Sequence, residues 1–319
     1  MVTVGVLMLD IKPVILLNLF VFFWCKISYL SANDKRIEIS HQTCSIQYII
    51  DKQNNYYLKY FGRLFYSHSL DVINSSDDNL ENIRYQILDT YKHGNKISTQ
   101  GLLFSEPFIF ESSGGLGQSR LIKYQLQKTD NAPFKYDVLK LPDNIFVEGI
   151  TELDDTILMT TLKKEELLVI DKKSMRLREK YTFTGDGWGV LRDDDTIVIS
   201  NSTTDMSRFR LGNKVPIKKH KVLANNVILK GINEMEMVGE YIFANIWPTD
   251  CIAIIDKTNF VVLAWLDLSR LYPVTNRKYW SSVANGIAYD KKTGVLYVTG
   301  KNWDKIFAIK FESLNEKNN

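Results

Sequence analysis

The chain has no basic stripe. Its 40 lysines and arginines are interspersed with 37 aspartates and glutamates, for a net charge of +3, and no segment concentrates positive charge as a phosphate-tracking surface must. Nucleic acid is therefore not an expected partner. Helical heptads are absent too, as is an extended apolar stripe, so nothing calls for an obligate second chain and a monomer is expected. Cysteine is scarce, with three in 319 residues. Cys25 belongs to an apolar segment, which leaves Cys44 and Cys251 as one disulfide or as two buried thiols. Long hydrophobic runs are absent except at the N-terminus, where Val14 to Trp24 is uncharged between Lys12 and Lys26. That stretch is shorter than the roughly 20 residues of a full span, although Cys25 to Leu30 extends it. It has no clean small-x-small cleavage signature, which favours an uncleaved anchor over a signal peptide. Residues 1–30 are set aside from the fold on this ground, with residues 13–31 as the single-pass anchor. The expected location is the lumen of the secretory pathway or the exterior. Asn74-Ser75-Ser76 and Asn201-Ser202-Thr203 match the glycosylation acceptor pattern.

What the chain does have is a pattern repeated five times. A marker residue is followed by a short gap and a hydrophobic run ending in a polar residue. The markers are Gln100, Glu148, Trp188, Asn233 and Asn285, four of them followed by Gly and an apolar residue. Their spacings of 48, 40, 45 and 52 residues lie in the range of solenoid and propeller repeats. The runs Pro107 to Phe110, Thr156 to Met159, Thr196 to Ile199, Tyr241 to Ala244 and Val295 to Val298 begin 7, 8, 8, 8 and 10 residues after their markers. They are short, β-branched or aromatic, and bounded by turn residues, so they read as strands. Turn clusters such as Glu152-Leu153-Asp154-Asp155 and Arg192-Asp193-Asp194-Asp195 join strands into hairpins. Four strands per unit and five units predict an all-β, five-bladed propeller over residues 85–312, with a polar tail at 313–319.

In a propeller, equivalent positions of successive blades ring the central channel. The first ring holds the five markers. A second holds Glu111, Thr160, Ser200, Asn245 and Thr299, and a third Ser113, Leu162, Ser202, Trp247 and Lys301. Carboxylates, amides, two tryptophans and a lysine thereby converge on one channel mouth, which is the expected functional site. Residues 31–84 lack the repeat and form an accessory extension. Within it, residues 43–66 are apolar enough to dock on the propeller, with a periodicity that does not decide between helix and strand, and Asn74 to Asn82 reads as a loop.

From Tyr85 to Phe311 the sequence resembles the plant and bacterial type of glutaminyl-peptide cyclotransferase. The resemblance rests on eight motifs in order: Thr99-Gln100-Gly101-Leu102, Glu111-Ser112-Ser113-Gly114, Glu148-Gly149-Ile150-Thr151, Gly187-Trp188-Gly189, Asn233-Glu234-Met235-Glu236, Ala244-Asn245-Ile246-Trp247-Pro248-Thr249-Asp250, Asn285-Gly286-Ile287-Ala288-Tyr289-Asp290 and Thr299-Gly300-Lys301-Asn302-Trp303. It implies a five-bladed propeller that turns the N-terminal glutamine of peptides into pyroglutamate with release of ammonia, without a metal or other cofactor. The residues it implicates match Gln100, Glu148, Trp188, Trp247, Asn233 and Lys301. Ser98 and Leu162 stand where the family usually has aromatics, so a less aromatic pocket is expected.

On this reading Glu148 is the general acid and base, since a carboxyl in a tryptophan-lined pocket is held toward its neutral form. Lys301, Gln100 and Asn233 are the donors for charge developing on the γ-carbonyl oxygen. Trp188 and Trp247 fold the substrate side chain back, and Glu111 and Asn285 complete the substrate contacts, although Asn285 before a glycine also suits an inter-blade hydrogen bond. Two other readings fit the repeat alone. One is a lactonase-like hydrolase with Ca²⁺ on Glu148, Asn233 and Asn285. The other is a silent propeller that binds peptides or glycans.

Overall fold

The computed structural model describes residues 44–61, 80–94, 97–128, 135–201, 203–277 and 279–314. The apolar N-terminal run and most of the loop from Asn74 to Asn82 lie outside these residues. Among the described residues no helix is long and apolar enough to cross a membrane.

Among the described residues five antiparallel blade sheets follow one another along the chain, with a two-stranded hairpin of Leu223–Ala224 and Val227–Ile228 between blades three and four. Blade one comprises Thr99–Ser105, Phe108–Ser113, Arg120–Tyr124 and Tyr136–Lys140. Blade two runs from Val147–Leu153 to Arg176–Thr182, blade three from Val190–Asp193 to Lys218–Lys221, and blade four from Ile232–Val238 to Val262–Asp267. Blade five takes Ala284–Asp290, Val295–Gly300 and Lys305–Phe311 from the end of the chain and its fourth strand, Tyr85–Lys92, from before blade one. The ring is therefore closed by backbone hydrogen bonds between an early and a late strand.

The second strands are buried on both faces, because each sheet packs against a blade on either side, and this is why they read as unbroken apolar runs. The fourth strands of blades one to three are mostly exposed and correspondingly polar. Five clusters of buried side chains fill the five gaps between adjacent blades. Leu103, Phe110 and Leu121 of blade one meet Ile150, Ile157 and Leu168 of blade two, for example.

The segment with ambiguous periodicity is a helix, Ile46–Phe61. Ser45 caps it, its hydroxyl accepting from the Tyr48 N–H at 3.1 Å. Ile46, Ile49 and Gln53 recur at helical spacing on the buried side. Aromatic residues on both sides of the helix blur that period. Ile46 and Ile49 enter the core between blades three and four. Cys44 is disulfide-bonded to Cys251, at the start of the third strand of blade four, which resolves the two cysteine alternatives. Glu81–Asn82 then adds a short parallel strand to the outer edge of the same blade.

Near the axis the blades approach so closely that side chains are excluded. A Cβ on Gly101 would lie 2.6 Å from the Ile150 nitrogen, and one on Gly149 would lie 2.7 Å from the Trp188 oxygen. A Cβ on Gly189 would collide with the Asn233 carbonyl oxygen. The repeated Gly after the marker is thus a packing requirement between successive inner strands. Gly189→Ala is expected to destabilise the propeller by about 1–3 kcal/mol, measured as a lowered urea midpoint at unchanged slope. A midpoint equal to that of the parent would show that the blades can part there.

Candidate active site

Four of the five inner strands begin with an irregularity that frees the marker. Pairing register shifts between Thr99 and Gly101, Val147 and Ile150, Ile232 and Met235, and Ala284 and Ile287. Gln100, Glu148, Asn233 and Asn285 all lie within these bulges, which release a side chain from strict alternation and re-aim it. In blade three Trp188 precedes the ladder, and its N–H donates to the Ser200 carbonyl at 2.9 Å.

The markers' own carbonyls are held from the blade before. Ser112 donates its hydroxyl to the Glu148 carbonyl at 2.5 Å, Thr160 to the Trp188 carbonyl at 3.0 Å, and Ser200 to the Asn233 carbonyl at 2.8 Å. In blade four Asn245 has this position and accepts from the Gly286 N–H at 3.0 Å. These positions in blades one to four are therefore inter-blade latches, whereas in blade five the Thr299 hydroxyl donates to the Lys305 carbonyl of its own blade at 2.8 Å.

These latches correct one member of the second ring. The blade-one strand begins at Phe108, one residue after the apolar run opens at Pro107, and pairing places Ser112 opposite Gly101. A one-residue slip turns a strand side chain to the opposite face, so Glu111 looks toward blade five. There its carboxylate is surrounded by His93 Nε2 at 2.9 Å, the Tyr124 hydroxyl at 2.8 Å and the Thr99 hydroxyl at 2.6 Å. Burial opposes a charge on His93, but the Glu111 carboxylate and its hydrogen bond outweigh this and raise the imidazole pKa. Burial, reinforced by Glu111, pushes the Tyr124 phenol well above its ordinary range. Glu111 is a seam group between blades five and one, with its oxygens occupied. The same slip moves the third ring in blade one from Ser113 to Gly114. Asn285 also belongs to the seam, since its side-chain amide donates to the Thr99 carbonyl at 2.9 Å.

Gln100, Glu148 and Lys301 do come together. Lys301 donates from Nζ to Gln100 Oε1 at 2.7 Å. Glu148 is only 6% exposed, and its pKa is pushed up to about 8 by burial, held back by the Lys301 cation and raised further by the Asp186 charge. Burial lowers the pKa of Lys301, and the Glu148 carboxylate opposes this. The protonation of each group therefore depends on the charge of the other. Asn233 is 4% exposed, and its Oδ1 is a buried acceptor with no donor among the described residues. The Trp188 and Trp247 rings meet edge-on at 6.2 Å.

Four contributors escaped the sequence reading. Asp186, two residues before the Trp188 marker, acts on Glu148 through space. Glu234 fills the axial position that is Gly in the other blades and reaches across to accept from the Ile287 N–H at 2.9 Å and the Leu102 N–H at 3.4 Å. Burial and nearby Glu236 raise its pKa well above the usual range, against the pull of those two N–H groups. The break in the Gly pattern at Asn233-Glu234 was the available signal for it. Tyr56 and Trp280 add rings beside Trp247 at 4.4 and 6.5 Å. No repeat could have marked them, since one lies in the helix and the other in a loop. Among the described residues no three His, Cys, Asp or Glu side chains are grouped to hold a metal ion.

Because Lys301 holds the Glu148 pKa down, Lys301→Met is expected to raise it further above 8. pH-difference infrared spectra of the carboxyl stretch read this directly, and a fall in that pKa would contradict the arrangement.

The family model described as glutamine cyclotransferase matches residues 64–311. A glutaminyl-peptide cyclotransferase of Arabidopsis thaliana is 29% identical over 237 residues, covering 73% of this chain and 72% of the relative. The crystal structure of the Myxococcus xanthus glutaminyl cyclase superposes with a TM-score of 0.64 at 25% identity, covering 72% of this chain and 97% of that one. With a family match over most of its length and the buried Gln100, Glu148 and Lys301 group in place, the chain belongs to the glutamine cyclotransferase family.

Proposed function

We propose that this chain cyclises the N-terminal glutamine of peptides to pyroglutamate, releasing ammonia, with Glu148 as the single proton shuttle. The observation that carries the reading is the buried Glu148 carboxyl, poised at about 8 beside Lys301 and Gln100, in a chain of this family. The substrate's α-amine nitrogen attacks its own γ-amide carbon, and the carbonyl π electrons move onto oxygen. Glu148 takes the proton that the new N–C bond makes acidic. It then returns that proton to the departing amide nitrogen as the tetrahedral intermediate collapses and the C–N bond breaks. One carboxyl serves both steps best when its pKa lies near the working pH. A carboxyl at its ordinary pKa would be a poor acid for the second step.

Gln100 and Lys301 sit as a preorganised pair to meet the negative charge growing on the γ-oxygen, worth on the order of 10²- to 10³-fold for one well-placed donor. The unpaired Asn233 Oδ1 is the complementary acceptor for an N–H of the substrate amine, orienting its lone pair toward the carbonyl. Trp188 and Trp247 confine the flexible glutamine side chain to the folded-back geometry that cyclisation needs. The Cys44–Cys251 disulfide suits an oxidising compartment and supports a secretory or extracellular location. Residues 13–31 as a membrane anchor and a single-chain enzyme complete the proposal.

A peptide beginning with glutamine, incubated with the full chain, is expected to lose one ammonia by mass spectrometry. Glu148→Gln should lower kcat by roughly 10²- to 10⁴-fold while the protein still unfolds cooperatively. Near-normal turnover by that variant would remove Glu148 from the mechanism. As Glu148 must begin ionised, kcat/KM should fall as pH drops below about 8. A profile flat from pH 6 to 9 would contradict the shuttle.

A further inference from the structure

The accessory helix extends the proposed site rather than merely bracing the fold. Its N-terminal end is fixed by the Cys44–Cys251 disulfide, and the Asn82 side chain donates to the Cys44 carbonyl at 2.9 Å. Two turns on, Gln53 donates from Nε2 to the Lys230 carbonyl at 3.0 Å and to the Trp247 carbonyl at 3.1 Å. The helix thus grips the backbone of a residue in the aromatic wall. One turn further, Tyr56 packs edge-on against the Trp247 ring at 4.4 Å, 79° between planes, and lies 5.0 Å from Trp280 at 36°.

The rings make a continuous row. It starts at Trp188, whose carbonyl accepts from the Gly149 N–H at 2.6 Å, next to Glu148. It passes to Trp247 at 6.2 Å and from there to Trp280 at 6.5 Å. Trp280, in the loop before blade five's inner strand, is 49% exposed. A peptide whose first residue is held at Glu148 carries its next Cα 3.8 Å further out, so along steps of 6.2 and 6.5 Å the outer rings are met by the side chain of a following residue rather than by the glutamine. Large rings combining apolar area with a half-open face are the side chains that dominate recognition of extended partners.

The geometry points to Tyr56 and Trp280 forming, with Trp247, an aromatic slot for the side chain of the residue that follows the glutamine, with a preference for aromatic side chains there. Tyr56 and Trp280 are specificity-determining residues and take no part in bond making. This rests on the cyclase reading, and the test separates the two. Two peptides identical except for phenylalanine or serine in second position are compared with the full chain. The parent should favour the phenylalanine peptide by about two- to tenfold, chiefly through KM, the scale of one aromatic contact. Trp280→Ala, at an exposed loop position that tolerates truncation, should bring the ratio toward one by raising KM for the phenylalanine peptide. Tyr56→Ala should do the same, and Tyr56→Phe should restore the preference. Equal turnover of both peptides by the parent, or a ratio unmoved in both alanine variants, overturns the slot while leaving the cyclase intact. If neither peptide loses ammonia, the cyclase reading falls and the slot falls with it.

Discussion

A hydroxyl in one blade holds the backbone carbonyl of a marker residue in the next: Ser112 for Glu148, Thr160 for Trp188 and Ser200 for Asn233. Each such bond contributes only about 1 kcal/mol on its own. Their effect lies in where they act. The carbonyl that is held belongs to a residue in an irregular part of its strand, where the ladder cannot fix it. The latch supplies the missing restraint from the neighbouring blade, and the glycine beside it lets the two backbones come close enough to meet. Blade packing and the placing of Glu148, Trp188 and Asn233 are therefore one problem with one solution. A substitution that loosens the joint between blades also misplaces a marker side chain.

The electrostatics follow from the same closeness. Tight approach at the axis keeps water from Glu148 and Lys301, and the lost hydration moves the two pKa values toward each other. Exposed on a surface loop, the same two residues would be a fixed ion pair of little consequence. At the seam between blades five and one the outcome differs. His93, Thr99 and Tyr124 satisfy Glu111 completely, and a buried carboxylate with full hydrogen bonding is a structural group. Two glutamates one blade apart thus have opposite parts, decided by how many of their lone pairs the protein itself occupies.

The repeat was legible because the buried strands must be apolar on both faces and because glycine is forced near the axis. Gln100, Glu148, Trp188, Asn233, Trp247 and Lys301 could be placed by register alone. The misplacement of Glu111 shows the limit of that method. The onset of apolar residues marks a strand end only to within a residue, and Pro107, which opens the apolar run, belongs to the turn before Phe108–Ser113. The period of two then put the error on the wrong face. The helix Ile46–Phe61 was obscured because aromatic residues fall on both its sides, and its docking depends on a disulfide spanning 207 residues, which no local pattern encodes. Asp186, Glu234, Tyr56 and Trp280 act across distances in space that have no counterpart in spacing along the chain.

The pairing of Tyr85–Lys92 with Lys305–Phe311 has a temporal meaning. Tyr85–Lys92 leaves the ribosome before the other blade strands and must wait, with an open edge, until the four intervening blades have been made. Lys301 lies just before the late strand, and its hydrogen bond to Gln100 spans the seam between the last blade and the first. During synthesis the blades can form one after another, but the Gln100–Lys301 contact cannot exist until the final strand arrives. The Gln100–Lys301 contact is accordingly among the last to form, made in the same step that closes the ring.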